Sequence, residues 1–257
     1  MSTPDRFPTR LLARTPIAED TVAFDLERPD NFHFEAGQFV SVRLADFTAT
    51  GSDDGERMLS IASTPHEPRL TFAMRMRDTP FKRRLGDCEL GTPLIISAPM
   101  GDFVLPEDVG KPLVMIAGGI GITPFYSMLN TLRHRVGQGL AVPPVTLVYG
   151  NRTPASTSWR DALERMTNTL PNFQLIHVFG QDNAPTPAGV APTGSQTANP
   201  RVRTGLVTTE VIREIEAWRE SHYFVVGPVA MVAVMQDCLD DCGIPPEQVT
   251  IEFFAGY

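Results

Sequence analysis

Apolar positions in the first hundred residues come in short alternating runs. Val22, Phe24 and Leu26 keep a period of two, as do Val40, Val42 and Leu44 after Phe39, and Pro, Gly and Asp clusters separate the runs. That period buries one face of an extended strand and leaves the other wet, so Thr9 to Leu105 predicts a meander of antiparallel strands forming a β-barrel. The segment FEAGQFVSVRL sets a glycine just ahead of one strand, the polar loop from Ala45 to Gly55 lies outside, and Ser97 to Leu105 is expected to close the barrel with a turn and a last strand. Beyond a linker at Pro106 to Gly110 the pattern changes. Leu113 to Ala117, Val145 to Tyr149, Phe173 to Val178, Tyr223 to Val226 and Val249 to Phe254 are near-continuous apolar runs with helical stretches between them, the signature of strands buried on both faces. Ser158 is placed to cap a helix through Trp159, Ala162, Leu163 and Met166, and Thr208 one carrying Val211, Ile212, Ile215 and Trp218. The expected architecture is two-domain: an antiparallel barrel over 1–106 and an α/β domain with a five-stranded parallel sheet over 107–257.

The stretch from Leu113 to Met128, LVMIAGGIGITPFYSM, is strand, glycine turn and helix start in succession. Thr123 reads as the N-cap and Pro124 as the first helical residue, where a missing N–H costs nothing. The unpaired donors of such a helix face the glycine turn, and with the positive end of the helix dipole they suit a phosphate or pyrophosphate. A tight turn needed only for packing reads the same way. The spacing Gly119-x-Gly121-x-x-Pro124 also lacks the third glycine of the G-x-G-x-x-G dinucleotide fingerprint.

Two polar clusters interrupt the barrel pattern. In Arg57-Met58-Leu59-Ser60-Ile61-Ala62-Ser63, an arginine fork and a hydroxyl suit a phosphorylated heterocycle, although a surface arginine and a turn serine fit the pattern too. Arg75 to Leu85 holds five basic residues in eleven, and Thr79-Pro80 predicts a short helix whose N-terminus is a second anion site; a solvated basic face is the alternative, preferred for Arg83 and Arg84. In the second half, strand ends carry Tyr149-Gly150-Asn151-Arg152-Thr153 and Val226-Gly227-Pro228, where Arg152 is either a phosphate clamp or a surface side chain. The Pro-, Ala-, Gly- and Thr-rich piece from Gln181 to Asn199 is too long for an ordinary connection and reads as a flexible excursion.

Composition narrows the classes. A net charge of -8 over 257 residues leaves no excess of cations to replace counterions along a nucleic acid. No apolar run approaches the about 20 residues that cross a bilayer, and MSTPDRFPTRLL has no apolar signal core, so a cytoplasmic location without membrane attachment is expected. Cys88, Cys238 and Cys242 are too few and too scattered for a disulfide framework or a metal site, and no C-x₄-C-x₂-C run is present to hold an iron–sulfur cluster.

Together these motifs resemble the ferredoxin–NADP reductase superfamily. Arg57-x-x-Ser60-x-x-Ser63 is similar to its R-x-Y-S flavin signature, GGIGITP to its G-x-G-x-x-P nucleotide loop and VVGPVAM to its C-G-x-x-x-M segment, while GQFV, PMGDF and VYGNR follow in the expected order. The resemblance spans essentially the whole chain. It implies a flavin-binding barrel followed by an NAD(P)-binding domain, in a stand-alone reductase without an iron–sulfur domain.

Carried over by position, the resemblance assigns Arg57 to the flavin pyrophosphate and Ser60 to the neighbourhood of flavin N5, with Phe81 and Lys82 in the segment that meets the flavin phosphates. Gly119, Gly121 and Thr123 fall in the loop for the nicotinamide dinucleotide pyrophosphate, Gly227 beside the nicotinamide, and Glu252 where an acidic residue contacts nicotinamide or relays protons. Tyr257, the last residue, matches an aromatic that stacks on the flavin; a frayed terminus is the bland alternative, against which Phe253 and Phe254 suggest a packed end. Three positions depart from the family. Leu59 stands at the flavin-stacking tyrosine, Val226 at the cysteine of C-G-x-x-x-M, and Lys82 at a small hydroxyl residue.

The activity implied is an FAD-dependent NAD(P)H oxidoreductase, using NADPH or NADH, that moves hydride from nicotinamide C4 to flavin N5 and passes single electrons to a separate ferredoxin or flavodoxin. Catalytic roles fall to Ser60, Glu252 and Tyr257, no metal is required, and a monomer is expected. Arg152 and Arg160 are the candidates for an NADP 2′-phosphate. An FMN-type reductase component of an oxygenase system, or a non-catalytic nucleotide-binding subunit, are the alternatives.

Overall fold

The computed structural model describes residues 6–46, 55–107, 110–180 and 199–254. Two compact units emerge, one formed by Met1–Leu105 with Thr123–Thr131 and the other by Pro106–Ile122 with Leu132–Tyr257.

The first unit holds six antiparallel strands: β1 (Arg6–Ala18), β2 (Thr21–Glu27), β3 (Phe39–Leu44), β4 (Glu56–Ser60), β5 (Arg69–Arg75) and β6 (Pro93–Ser97), in the spatial order β4-β3-β6-β1-β2-β5. The two outer strands meet just past β4, where Ala62 N–H donates to Thr71 O at 2.7 Å, closing the barrel. Its interior is packed by Leu11, Phe24, Leu26, Val40, Val42, Leu70, Phe72 and Ile96, as the alternating pattern requires. One expected strand is absent. After β6 the chain makes a single bridge, Met100 to Phe39, and Asp102 to Leu105 forms no strand, although Phe103 is buried against Phe125. The helix expected at Thr79-Pro80 is α1 (Pro80–Asp87); Thr79 is its N-cap, its hydroxyl accepting from Lys82 N–H.

The second unit contains an all-parallel sheet of β7 (Leu113–Gly118), β8 (Val145–Asn151), β9 (Phe173–Phe179), β10 (Arg201–Thr204), β11 (His222–Pro228) and β12 (Val249–Phe254), ordered β10-β9-β8-β7-β11-β12. The five expected strands are there, and β10 is a sixth. Its signal is weak because Arg201-Val202-Arg203-Thr204 carries one apolar residue at the sheet edge. Asn199 brings it into register: its side chain accepts from Leu175 N–H and donates to Phe173 O, standing in for a strand partner of β9. Most of the Gln181–Asn199 excursion, and residues 47–54 of the Ala45–Gly55 loop, lie outside the described residues.

The helices are α2 (Ile122–Gly137), α3 (Arg160–Met166), α4 (Thr209–Arg213) and α5 (Val229–Asp241). Ser158 is not a cap: Trp159 holds the N-cap position in a left-handed conformation (φ 51°), and Ser158 is buried before it. Thr208 occupies the N-cap of α4 without a side-chain capping bond to the backbone, and α4 ends before Ile215 and Trp218. No helix among the described residues is long and apolar enough to cross a membrane.

Candidate functional site

In the second unit the site is built at the carboxyl ends of β7, β8, β11 and β12. β7 runs into a 3-10 turn, Gly119–Gly121, which passes directly into α2. The helix therefore begins earlier than Thr123-Pro124 suggests. Gly121 holds the N-cap position, and Thr123 is a buried residue of the first turn, so the orphan donors at this end belong to the glycine turn itself. Gly119 is left-handed (φ 53°), and among the described residues a Cβ on it would meet nothing within 4 Å, which leaves open space over the backbone. Gly121 is constrained differently: a Cβ there would sit 2.6 Å from Val226 O and 3.2 Å from Gly227 Cα. Gly227 packs its Cα face on Gly118 and is covered by Met231, whose sulfur a Cβ on Gly227 would approach to 2.8 Å. β7 and β11 thus meet backbone to backbone.

Glu252 pairs with Val226 across the parallel ladder of β11 and β12. Its Oε2 is buried without a hydrogen-bond partner among the described residues, and burial pushes the carboxyl up to about 7. Phe253 is 53% exposed, so the aromatic pair does not form a fully packed end, and Tyr257 lies outside the described residues. Arg152 is exposed just past β8. Arg160 is engaged instead: its Nε donates to Glu164 Oε1 at 2.8 Å, and the His177 ring and Arg160 together hold that carboxyl below its usual range. His177 is wholly buried, its Nε2 standing 3.4 Å from Glu164 Oε1, beyond good hydrogen-bond length.

Pattern reading missed Tyr149. It is fully buried in β8, and its hydroxyl donates to Gly119 O at 3.0 Å. A phenol closing an otherwise Val/Thr/Leu strand, next to a glycine turn, was the available signal.

The first unit gathers the other set. Arg57 lies on β4 with its Cζ 4.9 Å from the ring centroid of Phe81, and its Nη1 donates to Glu56 O. Phe81 is fully buried, so its ring is a floor for the guanidinium. Lys82, one residue on, donates to Arg75 O at 2.6 Å; burial first, then Arg77, Arg57 and Arg75, lower its ammonium pKa. Four cations therefore share the N-terminal end of α1, as an anion site there requires. Ser60 is buried at the end of β4. Leu59 is half-buried and packs on the barrel core, while Met58 beside it is 64% exposed. Arg83 pairs with Asp78 and Arg84 with Asp46, consistent with a solvated face for both. Among the described residues no three His, Cys, Asp or Glu side chains group to hold a metal ion.

Comparison with known proteins decides the lineage. Residues 115–237 match the oxidoreductase NAD-binding domain. The chain is 28% identical over 252 residues to the reductase component of propane 2-monooxygenase from Mycolicibacterium goodii, covering 96% of this chain and 67% of that one. It is 27% identical over 253 residues to a flavohemoprotein of Rhizobium meliloti, covering 94% and 58%. The crystal structure of a ferredoxin–NADP+ reductase from Neisseria gonorrhoeae, with bound FAD and NADP, superposes with a TM-score of 0.74 at 19% identity over 98% of this chain and 99% of that one. The chain has the two-unit fold of the ferredoxin–NADP reductases, with an oxidoreductase NAD-binding domain in its second half. The superfamily fold pairs an FAD-binding barrel with an NAD-binding domain, and the two units carry those two architectures. The chain spans about half to two thirds of the length of the curated relatives it matches.

Proposed function

We propose that this chain is an FAD-dependent NAD(P)H oxidoreductase of the ferredoxin–NADP reductase superfamily that delivers electrons singly to a separate small redox protein, a ferredoxin or flavodoxin, or to an oxygenase component. The observation that carries the reading is the glycine turn: a left-handed Gly119 under open space, at the head of a 16-residue helix, with Gly121 locked on Val226. Such a turn offers backbone donors and a positive helix end to a pyrophosphate without a side chain in the way. The cation group around α1 supports a second, phosphate-bearing cofactor on the barrel unit.

When bound, the cofactors would supply the redox chemistry: the nicotinamide would give a hydride to the flavin, which would pass on the two electrons one at a time and release the proton to solvent. The chain supplies alignment and polarity. Arg57, steadied on Phe81, presents a fork to the flavin pyrophosphate, and Lys82 with the head of α1 adds charge there. Ser60 offers a hydrogen bond near N5, and Leu59 an aliphatic surface where a stacking aromatic is usual. Gly119, Gly121 and the first turn of α2 through Thr123 take the dinucleotide pyrophosphate; Gly227 is assigned the position beside the nicotinamide. Glu252, titrating near 7, can hold or release a proton at physiological pH. Tyr257 is assigned the flavin-stacking role and Arg152 a 2′-phosphate. The matched monooxygenase reductase component supports the partner class.

Anaerobic titration of the purified yellow protein with NADH and with NADPH, together with identification of the extracted flavin, tests this reading. Bleaching by at least one nucleotide and recovery of FAD are expected. A yellow protein that neither nucleotide bleaches would refute the enzymatic role, and a colourless protein that cannot be reconstituted would refute both flavin readings.

A further inference from the structure

Gly119 can adopt either sign of φ at little cost, so nothing intrinsic to it keeps the turn in one conformation. Its carbonyl is the hazard. Rotated outward, that oxygen would place lone pairs against the anion that the turn is built to receive. The structure holds it inward: Tyr149 O–H donates to Gly119 O at 3.0 Å, and Ile122 N–H donates to the same oxygen from the first turn of α2.

Tyr149 is itself held by packing on all sides. Its Cα pairs with Ala117 in the β7–β8 ladder, so the phenol starts one strand away and reaches past the end of β7 to the turn. The ring is fully buried and lies 6.3 Å from the His177 ring, which stacks on Phe179 at 5.5 Å and 11°. Asn151 and Ser158 approach the same hydroxyl, and burial raises its pKa well above the ordinary phenol value, so it remains a donor.

We propose that Tyr149 is a positioning residue for dinucleotide binding, pinning the Gly119 carbonyl away from the pyrophosphate so that the turn is pre-set for the anion. The proposal rests on reading the turn as the dinucleotide loop. It predicts an effect on binding and not on chemistry, since Tyr149 acts through Gly119 and touches no reacting atom.

The test uses the flavin-loaded full chain. ADP, which carries the pyrophosphate without nicotinamide, and adenosine, which lacks phosphate, are titrated calorimetrically into wild type and Tyr149→Phe, alongside steady-state kinetics with NADH and NADPH. Losing one net hydrogen bond predicts an ADP Kd and a nicotinamide nucleotide KM raised about fivefold to tenfold, with kcat, flavin content and adenosine binding unchanged. Unchanged ADP affinity overturns the proposal; so does a loss of flavin and ADP together, which would mark the hydroxyl as a general structural support. Gly119→Ala provides the second arm. It strains the same left-handed peptide, so Gly119→Ala combined with Tyr149→Phe should weaken ADP by less than the product of the single effects, and a full product overturns the shared mechanism. A wild type that binds neither ADP nor any nicotinamide nucleotide would instead refute the proposed function.

Discussion

Gly121 lies against the backbone of Val226, close enough that a Cβ would come to 2.6 Å from the Val226 carbonyl oxygen and 3.0 Å from its carbon. Both neighbours are main-chain atoms of a central strand, so neither can rotate away.

Gly121→Ala is therefore expected to force β7 and β11 apart. It should cost about 1–3 kcal/mol in urea unfolding, the range for overpacking a close-packed interior, and lower kcat/KM for the nicotinamide nucleotide at least tenfold. Gly137→Ala is the matched control: it sits at the end of α2 with nothing among the described residues within 4 Å of its Cβ position and should be neutral or stabilising by about 0.4–1 kcal/mol. Equal stability losses in the two variants would contradict the packing argument.

Arg57→Ala removes the member of the α1 cation group whose guanidinium stands over the Phe81 ring. Fluorescence titration of the flavin-stripped protein should show flavin affinity reduced more than tenfold. Arg57→Lys keeps the charge but loses the planar fork and should recover only part of it; full recovery would mean that a point charge is sufficient and bidentate recognition is not used.

Arg152 and Arg160, equivalent candidates by sequence, differ in structure. Arg160 already donates to Glu164, whereas Arg152 is exposed at the end of β8. Arg152→Ala is expected to raise KM for NADPH about tenfold and leave KM for NADH unchanged, with Arg160→Ala affecting the ratio little. A ratio shift confined to Arg160→Ala would reverse the assignment.

Glu252 predicts a pH dependence of stability. Below about pH 4.5 the carboxyl is protonated in folded and unfolded chains alike. Between there and about 7 the unfolded chain releases the proton while the fold retains it, so the folded state binds more protons and stability declines as pH rises; above about 7 the deficit is constant. Glu252→Gln should be flat across this window and, with partial exposure trimming the effect, more stable than wild type at pH 8 by on the order of 2 kcal/mol. Urea midpoints from pH 4.5 to 8.5 that fall equally in both proteins would rule this out.

Where one physical cause dominated, sequence was sufficient. The run Leu113–Ala117 reads as a strand buried on both faces and Thr79-Pro80 as a helix start, and both form as read, because the hydroxyl and the missing N–H act within one turn. The failures involve distant partners. Thr123 was a good local N-cap, yet the 3-10 turn extends the helical geometry back to the glycines and buries the hydroxyl. β10 depends on the Asn199 side chain bonding to β9, which no pattern at Arg201–Thr204 records. Tyr149 likewise becomes legible only once β7 and β8 are neighbours, for its partner is 30 residues away.

The membership of Thr123–Thr131 bears on how such a protein can be rearranged. This first half of α2 belongs with the barrel: Ser127 Oγ donates to Ser63 O at 2.6 Å, and a Cβ on Gly37 would stand 3.1 Å from Phe103 C and 2.5 Å from Met128 Cε. The polypeptide therefore crosses between its two folding units three times. A gene cut after Leu105 would deliver a barrel missing part of its own wall. Swapping flavin modules among reductases should work only when the donor segment carries its counterpart of Thr123–Thr131 along with it.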